Sequence, residues 1–377
     1  MAQATKEYTA LHPEVQIVQN SVAGTGAATY PDVLRTGIAG GRPPDFFNMW
    51  GGQIASPFID DGQVLDLTPY YEKYGWNKII EQWPINAIKR KGRVWGVPFT
   101  ARGMGLWYHK DMFARLGIAV PTTYAQVEAA CAKLKTAHVY CAASAGKYGW
   151  HLMRLLDYFI EVAAGPTLHD QLNAMTVSWD RPEVVKAYAM LKKWVDNQWL
   201  PPGFMAVSPG DAQLAFNQGK AAMILEGDWE EGALKTAGQD TKKYAYFLPP
   251  TGHTPLRFSA FPEQLMIAKG AAHPNAAAAF INWYIQPAVQ RKYFAVSGST
   301  ATIGAFPAIS QWPLTYKWRH DLDTHSTYPP SDQAFNKEFM DGTFFRIQAA
   351  VVSGQTAPAD AGKQMQSSVD AMKQANS

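Results

Sequence analysis

The sequence predicts an α/β protein of two domains, and three observations carry that prediction. Its 377 residues exceed the roughly 100–200 of one ordinary domain. Strand and helix patterns alternate early. Val15-Gln16-Ile17-Val18 reads as a strand, residues 29–39 suit a helix, and residues 45–49 read as a second strand after the breaker Gly40-Gly41-Arg42-Pro43-Pro44. Strong helix signals then alternate with short apolar strands to the end of the chain, an order that favours a sheet covered by helices.

Each later element has its own signal. Residues 94–99 and 105–108 are two short strand candidates. Thr123, with Gln126 three residues on, makes a capping box. Val127, Ala130, Cys131 and Leu134 then recur on one face at helical spacing. Asp180 starts another helix, with Pro182 and Glu183 in its first turn and Val184, Tyr188, Leu191 and Val195 as its apolar stripe. Residues 211–218 form a short helix stopped by Gly219. Residues 221–225 follow as a buried strand that ends in the turn Glu226-Gly227-Asp228. Residues 264–268 read as a strand. Pro274 opens a helix in which Ala277, Ile281, Tyr284 and Ile285 share a face, and Pro287 interrupts it. Residues 335–352 and 361–373 close the chain as helices.

Composition narrows the function. Charged residues are 17% of the chain and aromatics 13%, with 13 Trp. Low charge and many aromatic faces suit capture of a neutral ligand; the alternative use of each Trp is the core. The net charge of +3, without Lys/Arg clusters among aromatics, argues against nucleic acid. No stretch approaches the roughly 18 apolar residues of a membrane span. Cys131 and Cys141 fit either a short disulfide loop or two separate thiols, and neither lies in a metal pattern. His320 and His325 have the wrong spacing for a zinc helix, so no metal or cofactor is expected. Residues 1–5 are polar, and no signal peptide is read there.

From Gly96-Val97-Pro98-Phe99 through Gly105-Leu106-Trp107-Tyr108-His109-Lys110-Asp111 and Leu116-Gly117-Ile118 to the capped helix, the sequence resembles the family 1 extracellular solute-binding proteins of ABC sugar importers. Four further stretches resemble that family in the same order. They are Gly40–Asp45, Asp61–Leu67, Phe216–Trp229 and His273–Ile281, and together the matches span roughly residues 7 to 305. The run Gly62-Gln63-Val64-Leu65-Asp66-Leu67-Thr68, with Tyr74-Gly75-Trp76, leans towards the sugar-binding members. Relatives begin with a strand and a long helix. This sequence begins near the end of that helix, at Lys6–Pro13, so the first strand is expected to be missing.

The resemblance implies a two-lobed, type II-like periplasmic-binding-protein fold, with a ligand cleft between lobes joined by hinge segments. It places residues 1–104 and 257–303 in one lobe, and 105–256 and 304–377 in the other. Crossings fall near 101–108, near 248–257 and after about Ile303, with Gly103 and Gly105 letting the first crossing flex. A sugar would be captured by lobe closure outside the cytoplasm, periplasmic or extracellular, and delivered by a monomer to the membrane permease of an ABC importer.

A sugar needs aromatic faces for its C–H surfaces and matched polar groups for its hydroxyls, because an unmatched buried hydroxyl costs about 1–3 kcal/mol. Trp229 follows a strand and tight turn and is the foremost stacking candidate, flanked by Asp228 and Glu226, whose alternative role is to cap the following helix. Trp150 and His151 follow the turn Gly146-Lys147-Tyr148-Gly149. Arg154, one turn on, reads as a surface or ion-pair residue. Trp50 and Gln53 follow the 45–49 strand. Phe99 and Arg102 lie at the first crossing, where Arg102 would bind a hydroxyl or a sugar acid, or bridge the lobes as a salt bridge. Glu263 and Gln264 open a strand beside the crossing. Asp45 reads as a structural cap.

Three alternatives remain. One keeps the fold but binds a non-sugar or acidic solute. A second is a carbohydrate-active enzyme, which needs two converging carboxylates. Asp60-Asp61 and Glu230-Glu231 are adjacent pairs that converge poorly. No nucleophile elbow or metalloprotease motif occurs, and residues 24–29 lack the last glycine of a dinucleotide loop. The third is a structural or interaction protein.

Overall fold

The computed structural model describes residues 1–20 and 30–375. Residues 24–29, including the expected start of a helix at Thr29, lie outside the described residues. The chain forms two compact units. The first is Met1–Arg102 with Phe261–Tyr316, and the second is Gly103–Ala260 with Lys317–Ser377.

The boundaries differ from the expected ones for a physical reason. The chain leaves the first unit inside the continuous strand Val97–His109 and re-enters it inside the strand Arg257–Ile267. Neither passage has a turn signal to mark it. The Pro249-Pro250 stretch lies within the second unit, and the last passage falls after Tyr316 rather than near Ile303.

In the first unit, Phe46–Trp50 pairs antiparallel with Glu263–Ile267, placing Trp50 opposite Glu263. Val15–Val18 is not a strand; Val15 and Ile17 instead pack against the core of Trp76, Tyr71, Phe280 and Ile281. Among the described residues no strand precedes Phe46. The Pro274–Tyr284 helix buries Ala277, Ile281 and Tyr284, as its periodicity predicts, and Pro287 opens the next helix, Pro287–Ser297. Asp45 accepts the His273 N–H at 2.6 Å, a structural bond that ties it to the residue just before this helix.

In the second unit, Met104–Tyr108 pairs antiparallel with Met223–Gly227, and Leu106–His109 pairs with Tyr244–Phe247. The strand Tyr140–Ala143 runs parallel to Ala221–Gly227. The Thr123–Gln126 capping box starts the helix Tyr124–Thr136, which buries the predicted face of Val127, Ala130, Cys131 and Leu134. A disulfide joins Cys131 on this helix to Cys141 on the adjacent strand. The Pro182–Asp196 helix buries Val184, Tyr188 and Leu191, but Trp194 takes the place expected for Val195. The expected 335–352 helix is interrupted by an extended Phe335 and a π turn, so a regular helix resumes only at Phe345–Ser353.

Gly103 and Gly105 serve close packing. A Cβ on Gly103 would lie 2.7 Å from the Phe258 ring, and one on Gly105 would lie 2.8 Å from Trp318. Both positions are therefore closed to a side chain. Trp318 is fully buried and stacks on Tyr246, with ring centres 4.0 Å apart and planes 7° from parallel.

Candidate functional site

The second unit gathers its candidates where a helix starts and a strand ends. Gly149, at φ 78°, precedes the helix Trp150–Asn173, and a Cβ there would meet the Phe345 ring at 2.4 Å. Trp150 and Arg154 are one turn apart on this helix, so their side chains share a face. The strand Ala221–Gly227 brings Glu226 against the same turn. Glu226 Oε2 accepts from Arg154 Nη1 at 2.9 Å, and Oε1 accepts from His151 Nε2 at 3.1 Å. The His151 ring is oriented from its other side, where Nδ1 accepts the Ala145 N–H at 3.3 Å.

Trp229 completes the cluster. Its ring folds back over the end of the strand, so that a Cβ on Gly227 would lie only 2.2 Å from it. The Arg154 guanidinium lies 4.2 Å from the Trp150 ring centre and 5.1 Å from that of Trp229. Partly desolvated cation–π contacts of this kind contribute about 0.5–2 kcal/mol each. Both Trp residues remain partly exposed, whereas Glu226 and Asp228 are buried. The Asp228 N–H donates to Gly103 O at 3.1 Å.

The electrostatics follow from burial and partners. Burial pushes Glu226 upward, but the Arg154 charge, the His151 bond and the Gly227 N–H prevail and hold it below the usual carboxylate range. Glu230, at the start of the helix Glu230–Thr236, is fully buried. Burial, aided by the Glu226 charge, pushes it up to about 8 against the opposing bond from Gln213. Further along the long helix, Asp157 accepts both the N–H and the hydroxyl of Ser331. Burial pushes neighbouring Asp332 up to about 7. Beyond it, Glu161 is clamped by Arg257 at 2.7 Å and by His169 at 2.6 Å.

The first unit holds the remaining candidates in two different settings. Glu263 Oε2 accepts from Arg102 Nη2 at 3.1 Å, from Arg102 Nε at 3.2 Å and from Thr100 at 2.9 Å. This salt bridge lies within the first unit, so the expected lobe-to-lobe bridge is corrected. Gln264 is buried, donates to Trp50 O at 3.3 Å and packs over Gly96. Gln53 accepts the Ser56 hydroxyl at 2.7 Å. Phe99 packs on the core near Tyr284, and Trp50 meets the edge of Tyr30. Trp50, Glu263 and Gln264 are thus neighbours, while Gln53 and Phe99 have local packing partners of their own.

Arg154 reads from the sequence as a surface or ion-pair residue. It is an ion-pair residue, but a largely buried one, with 10% of its side chain exposed. The readable signal was its spacing of four from Trp150. Gly227 carried no such signal, because its role is set by a ring that folds back on it.

The sequence pattern of the bacterial extracellular solute-binding proteins matches residues 1–291. The chain belongs to that family. This solute-binding protein is 24% identical over 330 residues to an uncharacterized ABC transporter extracellular-binding protein of Pyrococcus horikoshii, covering 85% of this chain and 72% of the relative. It is 25% identical over 312 residues to a multiple sugar-binding protein of Streptococcus mutans, covering 79% and 70%. Among solved structures it resembles a chitin oligosaccharide binding protein with a TM-score of 0.88 at 19% identity, covering 100% and 95% of the two chains. At that identity the likeness establishes the α/β fold of this solute-binding protein and nothing of its ligand. Among the described residues, no helix of the solute-binding protein is long and apolar enough to cross a membrane.

Proposed function

We propose that this solute-binding protein captures a mono- or oligosaccharide outside the cytoplasm, breaks no bond in it, and delivers it as a monomer to the permease of an ABC importer. The observation that carries this reading is the pair of partly exposed indoles, Trp150 and Trp229, both in contact with the Arg154 guanidinium and near the buried carboxylates of Glu226 and Asp228. Indole faces suit the C–H surfaces of a sugar ring, and the polar groups beside them suit its hydroxyls. The roles of Trp50, Arg102 and Glu263 in ligand contact belong to the same proposal. Gln264, Gln53 and Phe99 belong to it as well, although each also has a structural contact. The sugar-binding relative in Streptococcus mutans supports the reading.

The test is a thermal-shift and Trp-fluorescence screen of the whole chain against mono- and oligosaccharides, with mass spectrometry of the recovered ligand. A ligand at a hundred times its Kd adds about 2.7 kcal/mol of stability, so at least one sugar should raise the unfolding midpoint and be recovered intact. A screen without any carbohydrate response would overturn the reading. Recovery of cleaved sugar would turn it towards an enzyme.

A further inference from the structure

Arg154 presents a problem of charge. A guanidinium in contact with two partly exposed indoles is suited to gripping a carboxylate, because its planar fork matches two oxygens at once. A site built that way would favour sugar acids. Here one arm of the fork is already engaged from within the protein. Arg154 Nη1 donates to Glu226 Oε2 at 2.9 Å, and Glu226 is 3% exposed. The same carboxylate takes the His151 Nε2 bond through its other oxygen.

The remaining charges around Arg154 point the same way. Asp157 lies one turn further along the helix and is bonded to Ser331. Asp332 and Asp157 both act on Arg154 through space. Glu230 is buried just beyond Trp229 on the neighbouring helix. Glu226 is the carboxylate of this group held in its ionised form, so it is the group that offsets the Arg154 charge. A ligand carboxylate resting on either indole would meet a cation whose charge Glu226 already offsets. A neutral sugar would keep the indole faces and the polar acceptors without that penalty.

We propose that Glu226 sets the charge selectivity of this site: by neutralising Arg154 it makes the Trp150–Trp229 surface accept uncharged carbohydrate and reject sugar acids. The inference rests on the carbohydrate reading above and narrows its substrate class. Glu226 acts here through Arg154 and is a positioning residue as much as a charge partner.

The experiment is calorimetric titration of the full chain at pH 7 with two matched pairs, glucose against glucuronate and maltotriose against tri-galacturonate. The wild-type protein should bind a neutral member at least 100-fold more tightly than its acidic match. Glu226→Gln frees the Arg154 charge, and the neutral-to-acid ratio should fall at least tenfold. A merely structural role would weaken both ligands alike and leave the ratio unmoved.

Glu226→Gln leaves a buried guanidinium unpaired and risks misfolding. The double variant Glu226→Gln/Arg154→Gln removes both charges, and it should keep the wild-type preference for the neutral sugar. Equal or tighter binding of the acid by the wild type, an unmoved ratio in Glu226→Gln, or a switch to acids in the double variant each overturns the inference while leaving the carbohydrate reading intact. Binding of no sugar of either kind by the wild type overturns both.

Discussion

Replacing Glu230 by Gln should stabilise the protein, and the gain should grow with pH. Glu230 is fully buried at the start of the helix Glu230–Thr236. The helix dipole there favours the ionised carboxylate, but only by about 0.3–1 kcal/mol, rising to ~2 in buried settings. Burial and the Glu226 charge outweigh it and raise the carboxyl from 4.5 to about 8. The folded chain therefore keeps a proton that the unfolded chain has released, and stability falls as pH rises from the unfolded value towards about 8, then levels off. At about 1.4 kcal/mol per pH unit, the cost at pH 8 is on the order of 5 kcal/mol, against under about 1 kcal/mol at pH 5.

Gln carries no such cost, and its amide oxygen can still accept from Gln213, the present partner of Glu230. Urea unfolding followed by circular dichroism, on wild type and Glu230→Gln at pH 5 and pH 8, measures the difference. The variant should gain about 2–4 kcal/mol more at pH 8 than at pH 5. Asp332, also raised, is common to both proteins and cancels. Equal offsets at the two pH values, or a larger gain at pH 5, would refute the assignment of burial as the dominant effect.

Trp229→Ala should weaken sugar binding by roughly 10- to 100-fold, a loss of stacking worth about 1–3 kcal/mol; calorimetry reads this, and an unchanged Kd would remove Trp229 from the site. Reducing the Cys131–Cys141 bond, which closes a sequence separation of 10, should cost about 2–3 kcal/mol, seen as a lower urea midpoint with dithiothreitol and no such change in Cys131→Ser/Cys141→Ser. Arg257→Met leaves the buried Glu161 with His169 as its remaining partner in the clamp. It should lower stability by about 3–5 kcal/mol, and a neutral result in chemical unfolding would show that the clamp contributes little.

The helices were the most legible part of the chain, because their signals are local. Thr123 and Gln126 declare a helix start within four residues, and Pro274 with Ala277, Ile281 and Tyr284 declares a start and a buried face together. Strands were less legible. Val15–Val18 has the composition of a strand, yet a strand exists only where another backbone edge pairs with it, and here those side chains pack on a core instead. The two fragments expected at residues 94–99 and 105–108 belong mainly to one strand, Val97–His109. The glycines between them looked like an interruption, but they make room for the rings of Phe258 and Trp318.

The candidate site divides the same way. Trp150, His151, Glu226 and Trp229 could be picked out because indoles and carboxylates beside flexible turns are recognisable residue types in recognisable places. That Arg154 would be in contact with two of those indoles, and that its charge would be met by a carboxylate 72 residues away, could not.

By itself the sequence determined the α/β class, helices such as Tyr124–Thr136 and Pro274–Tyr284 with their buried faces, and the family, since each of these is written in residues close together along the chain. Only the tertiary structure decided where the chain passes from one unit to the other, which glycines make room for rings, and which charges cancel. Those outcomes depend on distances across space between segments far apart in sequence, and on burial, which turns an ordinary Glu into a proton-holding group at one position and a counter-ion at another.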